Sequence, residues 1–223
     1  MIRATTVWVG VLIQASLGLA LAASGEAWTN SDVGSPAQAG SATRDQAGWN
    51  LVAGGTDIWG AVDQFHFVHQ QRTGDFDVAV RVAEMKPAHL YSKVGLMVRE
   101  TLSGNSRHIY FMVFADNKPR NKNNGGYEFQ LREVAGGASQ AIYPVVKPDA
   151  PAEFPVGYPD VWLRVQRRGN EFSVFASADG KNWKTYARHT LELPATVFLG
   201  LALTSHNKSA TATAQCGDVV DLK

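Results

Sequence analysis

Apolar and polar positions alternate along most of this chain, and helical spacing is almost absent. Phe76, Val78, Val80 and Val82 share one face, opposed by Asp75, Asp77, Ala79 and Arg81, which is the period of a half-buried strand. Arg107 to Ala115, Val161 to Arg167, Glu171 to Ala176 and Val197 to Ser205 are rich in aromatic and β-branched residues and read as further strands. Turn residues separate them at Thr73-Gly74-Asp75, Ser103-Gly104-Asn105, Arg168-Gly169-Asn170 and Ala178-Asp179-Gly180. About ten or more short strands spaced in this way predict a single antiparallel sandwich.

One stretch resists the pattern. Trp59 to Gln70 is strand-like but carries Asp63, His66 and His69 where a core wants hydrocarbon. Buried polar groups without partners are costly, so this strand faces either solvent or something the protein holds. Two segments interrupt the alternation altogether. Asn117 to Gly126 is polar and basic, suited to an exposed hairpin loop, and Pro144 to Asp160 holds five of the nine prolines, which excludes a central strand. The second segment reads either as a flap over the sandwich or as a solvated connection.

The N-terminus follows a different rule. Arg3, the apolar run Val7 to Leu21 broken by Gln14 and Ser16, and Ala20-Leu21-Ala22 make residues 1–22 a signal peptide. Residues 23–223 are then a single domain in a secreted or periplasmic location. A retained anchor is the alternative, because Ala4 to Ala23 is about long enough to span a bilayer; after cleavage no integral membrane span is expected. With Arg3 removed, 20 basic side chains balance 20 acidic ones. Nucleic acid calls for a clustered positive surface, and the only local excess is Lys118, Arg120 and Lys122, so nucleic acid is not an expected partner. Cys216 is the only cysteine; no intrachain disulfide can form, and the domain must rest on a large core, with Cys216 a buried, inert thiol in an alternating strand.

Several blocks in register point to a known family. Gly54-Gly55-Thr56-Asp57-Ile58-Trp59-Gly60, Asp63-Gln64-Phe65-His66, Gly74-Asp75-Phe76-Asp77, Lys93-Val94-Gly95-Leu96-Met97-Val98-Arg99-Glu100 and Gly200-Leu201-Ala202-Leu203-Thr204-Ser205-His206 occur in that order. From about Trp28 to about Val219 the chain resembles the bacterial secreted domains described as "regulation of enolase protein 1-like", members of the concanavalin A-like lectin/glucanase superfamily. The resemblance implies an all-β, concanavalin A-like jelly-roll sandwich of two curved antiparallel sheets. It also implies a concave face that in many relatives binds glycans. Two departures stand out: the long Asn117 to Gly126 loop, and Cys216-Gly217-Asp218-Val219 where Phe-Asp-Asn-Val is expected.

Catalytic and metal signatures are thin by comparison. A retaining glycosidase needs two carboxyls about 5 Å apart, and the Glu-x-Asp-x-x-Glu strand of many concanavalin-like glucanases is missing. Glu128 and Glu133 fall on opposite faces, and Glu100 stands beside Arg99, where a salt bridge is the simpler account. A pair drawn from different elements, such as Asp63 with Glu100, remains open. His66 and His69 point oppositely in a strand and form no zinc spacing; Asp57, Asp63, Asp75 and Asp77 offer oxygen but no calcium-loop signature. Metal is left unassigned, and no cofactor is expected. Ser177-Ala178-Asp179-Gly180-Lys181-Asn182-Trp183 reads as a structural hairpin turn.

The sharper candidate is a polar and aromatic set spread over several strands: Asp63, His66, Arg99, His108, Gln130, Arg132, Arg164 and His206, with Trp59 or Tyr110 as stacking surfaces. Planar polar groups and aromatic faces are what hold sugars; the alternative is a solvated sheet face whose charges pair across strands. The expected ligand-binding residues are Trp59, Asp63, His66, Arg99, His108, Gln130, Arg132 and His206, with no catalytic residue assigned. The expected function is a non-catalytic, lectin-like module for a polysaccharide or glycoconjugate, with a glycoside hydrolase or lyase, or a structural or adhesion module, as alternatives.

Overall fold

The computed structural model describes residues 1, 27–118, 120, 125–144 and 151–222; apart from Met1, the expected signal peptide lies outside them. The described residues form β1 (Thr29–Val33), β2 (Ser41–Asp45), β3 (Gly48–Gly55), β4 (Phe65–Thr73), β5 (Phe76–Lys86), β6 (Lys93–Arg99), β7 (His108–Phe114) and β8 (Tyr127–Arg132). They continue through β9 (Gln140–Ile142), β10 (Val161–Arg168), β11 (Glu171–Ser177), β12 (Lys184–Thr190), β13 (Thr196–Thr204), β14 (Asn207–Cys216) and β15 (Val220–Asp221). Two antiparallel sheets result: a seven-stranded one ordered β1-β4-β13-β6-β7-β8-β9, and an eight-stranded one ordered β12-β11-β10-β5-β14-β3-β2, with β15 on β5. Among the described residues no helix is long and apolar enough to cross a membrane.

The main core lies between the sheets. Phe76, Val78, Val80 and Val82 of β5 turn inward as their alternation requires, meeting Val94, Leu96 and Val98 of β6 and Ile109, Phe111 and Val113 of β7. Cys216 closes this core as a free thiol, which burial pushes up to about 12. The described part of the proline-rich segment covers one end: Phe154 and Val156 are buried in the core, and Tyr158 Oη donates to Phe114 O at 2.6 Å.

The seven-stranded sheet departs from the expected pattern in one respect that decides the site. Its outer face is also apolar, with Phe65, Phe67, Met97, Tyr110, Met112, Phe114 and Ala202 packed under Ile58 and Val33. Every residue of β6 and β7 is buried. Ile58 belongs to residues 56–64, the connection from β3 to β4, which folds back across this face. Glycines permit the close approach. Gly55 has φ +108°, and a Cβ there would lie 2.0 Å from Gln64 O; Gly34 has φ +74°, and a Cβ there would lie 1.8 Å from Asp63 O. Both positions exclude a side chain on conformational and steric grounds.

Candidate functional site

Residues 56–64 divide the polar side chains of the outer face into two groups. Beneath the loop lies Asp63, fully buried, between two equally buried arginines. Arg132 Nη2 donates to Asp63 Oδ1 at 2.6 Å and Arg132 Nη1 to Oδ2 at 2.8 Å, the two-pronged geometry that strengthens guanidinium–carboxylate pairs. Arg99 Nη1 donates to Asp63 Oδ2 at 3.3 Å. The remaining guanidinium donors go to backbone: Arg132 to Gly60 O, Ser106 O and Gly137 O, and Arg99 to Thr101 O and Ser103 O. His108 sits alongside, its Nδ1 3.7 Å from Asp63 Oδ2. Burial, reinforced by Arg99 and Arg132 against the pull of Asp63, pushes its imidazole down to about 3, so His108 is neutral here.

Asp63, Arg99, His108 and Arg132 therefore come together, but around the protein's own loop rather than around an open surface. Asp63 N also donates to Gly104 O at 2.8 Å, and Ser139 N to Gly60 O at 2.8 Å, so three loops are tied to one buried carboxylate. The pair proposed between Asp63 and Glu100 is absent: Glu100 binds Arg107, whose Nε and Nη2 donate at 2.7 and 2.9 Å, and it is this arginine rather than Arg99 that partners it.

Three of the expected residues line a different feature. Trp59, Gln130 and His206, with Asp57, Tyr91, Lys93 and Glu128, surround an open cleft of about 180 Å³. The β8 register places Glu128 and Gln130 on one face with Arg132, and Lys93 shares the face of Arg99 on β6. Lys93 Nζ lies 2.8 Å from Asp57 Oδ1, and His206 Nε2 lies 3.2 Å from Asp57 Oδ2. Burial acts to raise the Asp57 carboxyl, but His206 and Lys93 together hold it at about 2. Glu128 shifts the opposite way: burial raises it, only partly offset by Lys93, Gln130 and Tyr143.

Aromatic rings frame the mouth. His206 stacks on His89 at a centroid distance of 4.4 Å and tilts against Tyr91 at 5.4 Å, while Trp59 is 39 % exposed. His206 occupies a left-handed turn at φ +53°, an uncommon conformation for a non-glycine residue. It is held there by these rings, by Asp57, and by the adjacent Ser205, whose Oγ donates to Gly55 O at 3.1 Å.

Not all of the expected set reaches this face. His66 pairs in register with Asp32 of β1, its Nδ1 2.8 Å from Asp32 Oδ1 and its Nε2 3.1 Å from Asn30 Oδ1, on the side of β4 away from the cleft. His69, expected to point away from the set, instead shares the outer face with Phe67 and Phe198, whose rings lie 5.0 and 5.4 Å away. Arg164 is on the eight-stranded sheet, where its Nε donates to Asp77 Oδ1 at 2.7 Å. Tyr110 is buried, its hydroxyl donating to Ala202 O at 2.9 Å, and presents no stacking surface. Of the cleft residues left out of the expected set, Lys93 and Glu128 carried a readable signal, the period-2 spacing to Arg99 and Gln130; Asp57 and Tyr91 carried none. The Ser177 to Trp183 hairpin is the structural turn its sequence implies, with Asp179 Oδ1 accepting from Lys181 N and Asn182 N at 2.8 and 2.7 Å.

No protein-family model and no curated protein matches the chain, so the narrower resemblance to the enolase-regulation domains rests on its sequence blocks alone. Solved structures do match. A functionally unknown protein from Saccharomyces cerevisiae aligns at TM-score 0.61 and 15% identity, covering 88% of this chain and 95% of its own. The carbohydrate binding module CBM66 from Bacillus subtilis aligns at TM-score 0.50 and 16% identity over 86% of this chain and 95% of its own. The exoplasmic/lumenal domain of VIP36, bound to Ca²⁺ and Man3GlcNAc, aligns at TM-score 0.53 and 12% identity over 88% and 84%. At these identities the likeness establishes the fold: an all-β, lectin-like sandwich of two antiparallel sheets.

Proposed function

We propose that this chain is an exported glycan-binding module that takes a sugar unit in the cleft between Trp59, Glu128, Gln130 and His206. The observation that carries the reading is a pair of buried acceptors, Glu128 Oε2 and Gln130 Oε1, that have no hydrogen-bond partner among the described residues at the bottom of an open cleft with a half-exposed tryptophan at its rim. An unmet buried acceptor costs about 1–3 kcal/mol, and a hydroxyl-bearing ligand removes that cost while its C–H face packs on Trp59. The sandwich type, shared with a carbohydrate binding module and with a lumenal domain bound to Man3GlcNAc, supports the same reading by analogy of fold.

Calorimetric titration with a polysaccharide panel tests it. Trp59→Ala is expected to weaken binding about tenfold, whereas His66→Ala, on the far side of β4, leaves affinity unchanged. Absence of binding across the panel, or equal binding by Trp59→Ala, overturns the proposal. One observation favours hydrolysis as a second reading: Asp57 and Glu128 border one cleft with their carboxyls shifted in opposite directions, the division expected of a base and an acid. Reducing-sugar release that disappears in Glu128→Gln would decide for it.

A further inference from the structure

The cleft imposes a requirement on its ligand that is narrower than a sugar of any kind. Its floor belongs to β8. Arg132 is consumed by Asp63, and Gln130 Nε2 donates to Glu128 Oε1. Among the described residues Gln130 Oε1 and Glu128 Oε2 remain without hydrogen-bond partners, on residues only 2% and 3% exposed. The cleft's own nitrogen-bearing side chains are already engaged: Lys93 Nζ lies against Asp57 and Ile58 O, and His206 Nε2 against Asp57. Among the described residues the hydrogen-bond donors beside Glu128 are neutral, Gln130 Nε2 and the Tyr143 hydroxyl, and Gln130 Oε1 has none; what the floor lacks is a charged donor, and the ligand must bring it.

Charge narrows the class of donor. Among the described residues no lysine, arginine or histidine nitrogen forms an ion pair with Glu128, because the nearest cation, Lys93, is committed to Asp57. Asp57 adds a second negative charge nearby, which acts against ionisation of Glu128. Lys93 offsets the cost of charging Glu128 only in part; a neutral hydroxyl adds nothing to that offset, whereas an ammonium group both donates a hydrogen bond and stabilises the ionised carboxylate. A metal ion is a poorer match, since among the described residues no three histidine, cysteine or acidic side chains come together in a way that could hold one. Size is also restrictive: about 180 Å³ falls below the roughly 300–1,000 Å³ of sites for drug-sized ligands and accommodates a single ring.

We infer that the cleft selects an amino sugar with a free, protonated amine, the ammonium placed on Glu128 Oε2 and a neighbouring hydroxyl donating to Gln130 Oε1. The inference rests on the reading of the cleft as a glycan site and adds the ligand's charge to it. Oligosaccharides that share a β-1,4-linked glucose-type backbone separate the possibilities: a glucosamine oligomer, its N-acetylated counterpart and a cello-oligomer, titrated calorimetrically into the wild-type protein near pH 6. The glucosamine oligomer is expected to bind about ten times tighter than the other two, the worth of one charged hydrogen bond. Glu128→Gln, checked for folding by circular dichroism, is expected to erase the preference, so that the glucosamine oligomer binds no tighter than the other two.

The ranking is read on the wild type and therefore does not depend on the variant folding. Equal or tighter binding of the N-acetylated or neutral oligomer overturns the inference and leaves glycan binding standing. A preference that survives in folded Glu128→Gln overturns it as well, because the attraction would then come from somewhere other than the cleft floor. If no oligomer in this set or in the wider panel binds, both the inference and the glycan reading fall.

Discussion

Asp63→Ala is expected to lower the free energy of unfolding by about 3–5 kcal/mol, the cost of removing one partner from a buried ion pair. Asp63, Arg99 and Arg132 are each 0% exposed, and among the described residues the carboxylate is the only anion paired with either guanidinium. The backbone carbonyls of Gly60, Ser106, Gly137, Thr101 and Ser103 would continue to accept hydrogen bonds in the variant. The loss is therefore one of charge, with two cations left unneutralised in a medium that screens them poorly. Asp63→Asn separates the two contributions: it keeps the shape and one acceptor but not the charge, and is expected to recover less than half of the loss. Urea unfolding followed by tryptophan fluorescence measures both variants, and thermal midpoints should fall by at least about 6 °C in a domain of this size. A loss below about 1 kcal/mol in Asp63→Ala would show that the loop is held by its backbone contacts instead. Because Asp63 tethers the segment that carries Asp57 and Trp59, the same variant is expected to lose glycan affinity without touching the ligand.

That tether explains which parts of the site could be read from the sequence. In the eight-stranded sheet, the inward residues of β5 from Phe76 to Val82 are those the pattern names, because one face meets the core and the other carries the partly exposed Asp77 and Arg81. In the seven-stranded sheet both faces are apolar, one against the second sheet and one beneath residues 56–64. Polarity then no longer tells inside from outside, and a strand read from it can be assigned with its faces exchanged. This is what happens at β4. His66 is expected on the ligand side, whereas Phe65 and Phe67 pack on the outer face and leave His66 against Asp32.

Asp63, Arg99, His108 and Arg132 stood out for a sound reason, polar groups set in apolar alternation, and they do converge. Their partner is the chain itself, and that could not be foreseen without knowing that residues 56–64 fold back. Glu128 was within reach of the same reasoning that selected Gln130 and Arg132, since the three are two residues apart on one strand. As half of a carboxylate pair with Glu133 it leads nowhere, since five residues put the two on opposite faces of a strand. Asp57 joins the cleft through Lys93 and His206, contacts that depend on strand order and not on local spacing.

Acid is expected to unfold this domain earlier than its carboxylates alone require, and His108 is the reason. Its folded imidazole is pushed down to about 3 by burial and by Arg99 and Arg132, with Asp63 opposing, whereas in the unfolded chain it titrates near 6.5. Above pH 6.5 both states are neutral at this position and stability does not depend on it. Below pH 6.5 the unfolded chain takes up a proton that the folded protein refuses until about pH 3. Stability therefore falls across that window, by up to about 1.4 kcal/mol per pH unit, and by about 2.5 kcal/mol between pH 7 and pH 4.5. His69 and His89, also lowered chiefly by burial, act in the same direction. Glu128, raised by burial, acts in the opposite one, because the folded state protonates first. Asp57, held at about 2, loses its contribution only as pH falls from about 4 toward 2. Urea unfolding of the wild type and His108→Gln at steps between pH 7.5 and 4.5 isolates the imidazole. The variant is less stable at neutral pH, where its contacts with Arg132 and Ser106 are altered, but its pH profile is expected to be flatter by about 2.5 kcal/mol. Parallel profiles, or a His108 ring resonance that titrates near pH 6.5 in the folded protein, would place the acid sensitivity elsewhere.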